Sequence, residues 1–95
     1  MKNKRNPPCT DHLKEIPGYT LKELAEKIGD LHYESLIEFT DELINKIAND
    51  GILDGKAGRK KLSMELLLVG FKLREAQIPM KEALKICKPY MEKTK

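Results

Sequence analysis

The chain has 95 residues, 10.9 kDa, 40% apolar and 35% charged residues and a formal charge of +3, room for one small core. That length excludes a Rossmann or barrel enzyme, and the apolar content argues against wholesale disorder. The longest uninterrupted apolar run, Leu66 to Phe71, is far short of the roughly 20 residues of a membrane span, so no membrane insertion is expected.

Residues 1–18 read as a flexible or extended arm that holds Pro7, Pro8 and Cys9. It is charged with no apolar segment behind it, unlike a secretory signal, so the expected address is the cytoplasm. There Cys9 and Cys87 are expected as reduced thiols. Pro17-Gly18 marks a turn, and residues 19–95 are expected to form a single helical domain. Thr20 with Glu23 has the spacing of a capping box, Tyr19 and Leu24 that of a hydrophobic staple. Leu21, Leu24, Ala25 and Ile28 recur at helical spacing, which predicts a first helix at 21–28 ending at Gly29.

Asp30 is placed to cap a second helix, predicted at 31–50. Its apolar stripe is Leu36, Phe39, Leu43 and Ile47, widened by Tyr33, Ile37, Ile44 and Ala48. Asn49-Asp50-Gly51 reads as its stop. Residues 52–62 admit two readings, a loop entering a helix or a small hairpin of strands, and their composition favours helix. The third helix is predicted at 57–77. It is nearly apolar all round at its middle, which marks it as the central element of the core. Ile78-Pro79 predicts a break, and a fourth helix is predicted at 80–92, kinked or ended by Pro89. The expected fold is therefore an all-α bundle of four helices.

Charge is laid out unevenly. Residues 20–54 hold nine acidic and three basic residues, whereas residues 55–95 hold eleven basic and four acidic. On the second helix Glu34, Glu38, Asp41 and Glu42 form an acidic row, a candidate docking face for a basic partner or a face turned to the chain's own lysines. Arg59, Lys60 and Lys61 form a basic cluster suited to an acidic partner or to phosphate. Cys9-x-x-His12 is half a zinc spacing, with His32 and Cys87 the remaining His and Cys. No second closely spaced pair completes it, so no metal or cofactor is expected. Ser35 and Ser63 lie in no nucleophile elbow, and no phosphate-binding glycine loop is present. The residues point away from an enzyme.

Tyr19 to Gly29, with Ala25 and Gly29 at the packing and turn positions, resembles the first helix and turn of a helix-turn-helix domain. Asp50-Gly51-Ile52-Leu53 with Gly58 to Ser63 resembles the wing of a winged helix. Leu73 to Ala83 is similar to the helix pair after the wing in regulators of the mercury-resistance type. That resemblance implies a DNA-binding regulator using the basic 58–61 segment on phosphate. The chain departs from the pattern where a recognition helix should lie. Ser35 and Glu38 stand at its apolar positions, and acidic residues occupy the face that would meet phosphate. The reading preferred from sequence is a non-enzymatic helical interaction protein with a protein partner. A homodimer through the apolar helix 62–76 is one such arrangement, and nucleic acid is the alternative partner.

Overall fold

The computed structural model describes residues 12–93 as three helices and, among those residues, no strand. Helix α1 spans Leu21–Gly29, α2 Tyr33–Lys56 and α3 Lys60–Lys93. All-α architecture is as expected, but there are three helices rather than four. The arm expected at 1–18 lies mostly outside the described residues.

α1 begins as its sequence dictates. Thr20 Oγ1 accepts the Glu23 amide at 3.0 Å and Glu23 Oε1 accepts the Thr20 amide at 2.9 Å, a complete capping box. The helix buries no residue fully; Leu24 and Ile28 are half-buried. α2 starts two residues later than expected, because His32 rather than Asp30 caps it: its Nδ1 accepts the Glu34 amide at 3.0 Å.

The larger correction is at Gly51. α2 does not stop at residue 50 but runs to Lys56, and residues 52–56 are helical instead of forming the strand of a wing. Gly51 is a contact point and not a turn. A Cβ there would lie 3.3 Å from Leu66 Cβ, Leu67 Cγ and the Ser63 carbonyl oxygen, so its bare backbone lets α3 approach closely. The true stop is Gly58, with φ of 92°. The Arg59 amide reaches back to the Asp54 carbonyl at 2.9 Å and the Gly58 amide to Gly55 at 3.1 Å, a Schellman motif that needs the left-handed residue at 58. A turn this short makes α2 and α3 antiparallel neighbours.

α3 also overrides its punctuation. It is continuous through Ile78-Pro79 and Pro89, so the expected helices at 57–77 and 80–92 are one rod starting at Lys60. Each proline removes one backbone hydrogen bond, at a cost of about 3 kcal/mol in a helix interior. Both sit on exposed positions, where water can take up the freed carbonyl. Opposite Pro79, Gln77, Met80 and Leu84 pack inward and hold the rod on course.

The hairpin packs along two regular rows. On α2, Ile37, Thr40, Ile44, Ile47, Gly51 and Asp54 alternate three and four residues apart, and all are buried or half-buried. On α3 the row is Ser63, Leu66, Gly70, Leu73, Gln77, Met80, Leu84 and Cys87, again buried or half-buried throughout. This is the repeat of a coiled-coil seam. It makes a thin core, in which Ile44 is the one large apolar side chain under 9% exposed among the described residues. The Cα radius of gyration is 16.9 Å, against about 12 Å for a compact domain of this length.

Candidate interaction surface

Every seam between two helices has two edges, and here they differ in chemistry. On one edge the flanking positions are Asp41 on α2 and Arg74 on α3. Arg74 donates to Asp41 Oδ1 at 2.6 Å, closing the edge with an ion pair. Gln77, only 1% exposed, joins them from within the seam. Its amide nitrogen donates to Thr40 Oγ1 at 2.7 Å, Asp41 Oδ1 at 2.9 Å and the Ile37 carbonyl at 3.2 Å, while its oxygen accepts Arg74 at 3.0 Å. Thr40 in turn donates to Ile37 at 2.8 Å. The Gln77 amide and then the Arg74 guanidinium hold the Asp41 carboxyl below the usual aspartate range. Further along this edge Glu34, Ile37, Glu38, Lys81 and Leu84 line a shallow, open depression.

The acidic row is therefore mostly turned toward the protein's own basic residues. Asp41 is engaged by Arg74 and Gln77, and Glu34 and Glu38 share their depression with Lys81. Glu42 lies apart, on the outer face of α2, and is exposed. The basic cluster divides as well. Arg59 Nε donates to Asp54 Oδ1 at 2.7 Å, which ties it across the turn, while Lys60 and Lys61 are exposed on the first turn of α3. The two groups sit at opposite ends of the hairpin, so they do not form one site. Among the described residues no group of three or more His, Cys, Asp or Glu is arranged to hold a metal ion. Cys9 of the half zinc spacing lies outside them, and Cys87 is a half-buried thiol on the seam.

The other edge carries no such polar closure. Its flanking positions are Leu36, Leu43 and then Asp50 on α2, and Leu62, Val69, Ala76 and Ala83 on α3; apart from Asp50, which pairs with Lys46 at 2.8 Å, they are apolar. Phe39, Leu43 and Val69 are 37%, 36% and 42% exposed. Adding this third column to the two seam columns widens each stripe beyond what a two-helix contact uses. It is the pattern of a helix that meets neighbours on two sides. Apolar residues are exposed on the far flank of α3 too, at Met64, Leu67 and Phe71, but there only α3 supplies a continuous wall.

The apolar excess of residues 62–76 was readable from their sequence. The Gln77 network was not singled out, though a polar residue falling on the row Gly70, Leu73, Met80, Leu84 was a usable signal. No helix among the described residues is long and apolar enough to cross a membrane. Comparison of the chain with protein families, curated proteins and solved structures finds no match.

Proposed function

We propose that this chain is a non-enzymatic helical-hairpin interaction module, which binds a macromolecular partner by packing helices against its apolar edge. One observation carries the reading: α2 and α3 set Leu36 and Leu43 on the same edge as Leu62 and Val69, and Phe39, Leu43 and Val69 stay more than a third exposed there. Contiguous apolar surface rimmed by charge is what interaction sites look like. The acidic row Glu34, Glu38, Asp41 and Glu42 and the basic residues Arg59, Lys60 and Lys61 serve in this reading to steer and orient the partner rather than to supply most of the affinity. The cytoplasm suits such a module, since Cys87 would stay reduced there. A winged-helix regulator is not carried forward, because residues 52–56 and 60–62 belong to helices.

Site-specific photo-crosslinking in cells tests this. Probes at Phe39 and Val69 should each give a discrete protein adduct, and a probe at Lys85 on the opposite edge should give none. Absence of adducts at both apolar positions, or equal adducts at all three, would overturn the reading.

A further inference from the structure

We infer that α1 is a strap for the apolar edge. It folds back antiparallel to α2 over the half of that edge farthest from the turn, and there it competes with the macromolecular partner. The competition rests on the interaction reading above; the docking of α1 does not.

Two apolar surfaces of this chain lack a partner, and a three-residue link separates them. α1 carries Leu21, Leu24, Ala25 and Ile28 on one face, yet it packs along neither long helix. Leu21 is 63% exposed and no residue of α1 is fully buried. Its polar contacts are local, the capping box at Thr20 and the pair of Lys22 with Glu26. A helix of nine residues is marginal in water unless its amphipathic face is packed. The link, residues 30–32, falls within the two to five residues that join antiparallel helix pairs. So short a tether keeps α1 at the α2 surface at an effective concentration on the order of millimolar.

The apolar surface also stops where α1 would stop. On α2 it runs through Leu36 and Leu43 and gives way to Asp50. The outer rim changes at the same level. Exposed Phe39, Pro79 and Ile86 border the half near the link, whereas Lys46, Glu65 and Lys72 border the half near the turn. Leu36 and Leu43 lie about 10 Å apart along their helix, and Leu21 and Ile28 have the same spacing. A fold at the link therefore sets Ile28 beside Leu36 and Leu21 beside Leu43, within about half a turn. The facing wall leaves room. Gln77 bonds Thr40, which puts Ala76 and Ala83, both small and exposed, level with this stretch of α2. The opposite edge is unsuited, because an apolar face laid there would desolvate the Asp41–Arg74 pair together with Glu38 and Lys81. Val69 is eight residues nearer the turn than Gln77 and lies beyond the reach of α1.

Methyl nuclear Overhauser spectra of the full chain test the docking. Cross-peaks from Leu24 to Leu36 or Leu43 are expected, and their absence would overturn it. Leu24→Glu lies on a helix that takes no part in the α2–α3 seam, and it should also remove the cross-peaks of Ile28 with Leu36. In cells, the same substitution should raise the adduct yield of the Phe39 probe at least ~threefold, the gain when a strap closed in about two-thirds of the chains is released. The Val69 probe should keep its yield. No gain at Phe39, or an equal gain at both positions, would overturn the competition. Cross-peaks present, with no adduct at either probe in either protein, would leave the docked α1 standing and remove the interaction reading instead.

Discussion

The two ends of the hairpin seam are held together by different physics. Near the turn the helices meet through small residues: Gly51 against Ser63, Leu66 and Leu67, and Gly55, where an added Cβ would lie 3.0 Å from Ser63 Oγ. The glycine contacts there are steric and short-ranged, beside the Asp54–Arg59 pair that ties the turn. At the open end the helices meet through Gln77, Thr40, Asp41 and Arg74, a network in which the buried amide makes four hydrogen bonds. Close packing fixes how near two helices lie, whereas a buried polar residue on a seam fixes which residue faces which. The turn end has its register set already by a three-residue connection. The open end lies far from that tether, where a slip along the seam would be least restrained, and the network stands there.

The largest effect on stability is expected from the network. Gln77→Ala leaves a cavity and removes the amide's bonds to Thr40, Asp41, Arg74 and the Ile37 carbonyl, although Thr40 keeps its bond to Ile37 and Arg74 its pair with Asp41. The loss should be about 2 kcal/mol, in the usual range for deleting a buried hydrogen-bonded side chain. Urea unfolding of the two proteins at matched concentration measures it; a loss below about 0.5 kcal/mol would mean that the open end is held by its apolar residues alone. Gln77→Leu asks the complementary question. It keeps the volume and removes the amide, so the stability loss should be smaller, while hydrogen exchange at Ile37 and Thr40 should quicken as alternative registers are populated.

The turn end comes next, and two glycines there separate propensity from packing. Gly51→Ala gains up to about 1 kcal/mol of helix propensity, yet three neighbours at 3.3 Å, one of them backbone, must move. A net loss of about 1–2 kcal/mol is expected, typical of overpacking. Gly70→Ala meets only Ile44 Cγ2 at 3.8 Å, an ordinary contact, so its propensity gain should survive as about 0.5–1 kcal/mol of added stability. Opposite signs in thermal melts would confirm that α3 is approached closely at 51 and not at 70. A stabilising Gly51→Ala would show that the turn end is looser than its geometry.

Those same positions show what the sequence could and could not disclose. The capping box at Thr20 and Glu23 was legible, because it depends on local spacing. The apolar faces of α2 and α3 were visible as such, but the seam lies beside the expected stripe of Leu36, Phe39, Leu43 and Ile47, through Ile37, Thr40, Ile44 and Ile47. The apolar middle of α3 leaves Leu67, Leu68, Val69 and Phe71 exposed rather than central to the core. Gly51 misled, since a glycine is equally the mark of a helix stop and of a close helix crossing, and only the presence of Ser63 and Leu66 across the seam decides between them. Pro79 misled for a related reason. Its local penalty is real, but Gln77, Met80 and Leu84 on the opposite side of the rod anchor it, and pairwise packing is not written in the propensity of one residue. The acidic row was visible as a row; that Arg74, more than thirty residues away in the chain, answers Asp41 was not. The apolar column of Leu36, Leu43 and Val69 was visible as an excess, and the edge it forms emerged only once α2 and α3 were paired.

The smallest expected effect is with pH, and it again divides the two ends. The Asp41 carboxylate accepts from Gln77 and Arg74, which favours its charged form and lowers its pKa below the ordinary value of about 3.9. A carboxyl whose pKa is depressed on folding contributes stability above its unfolded pKa and loses it as pH falls through the folded value. The open end should therefore weaken below about pH 4, while the glycine contacts at the turn, which involve no titrating group, should not respond. Carbon-detected titration of the Asp41 carboxyl should give a midpoint below about 3.9, and in Gln77→Ala that midpoint should move up toward it, because the amide that donates to Oδ1 is gone. Amide exchange measured at pH 3 and pH 5, corrected for intrinsic rates, should show reduced protection around Ile37 to Asp41 at the lower pH and unchanged protection around Ser63 to Leu67. Equal loss at both ends would mean that acid opens the hairpin as a whole and that Asp41 is not a local latch.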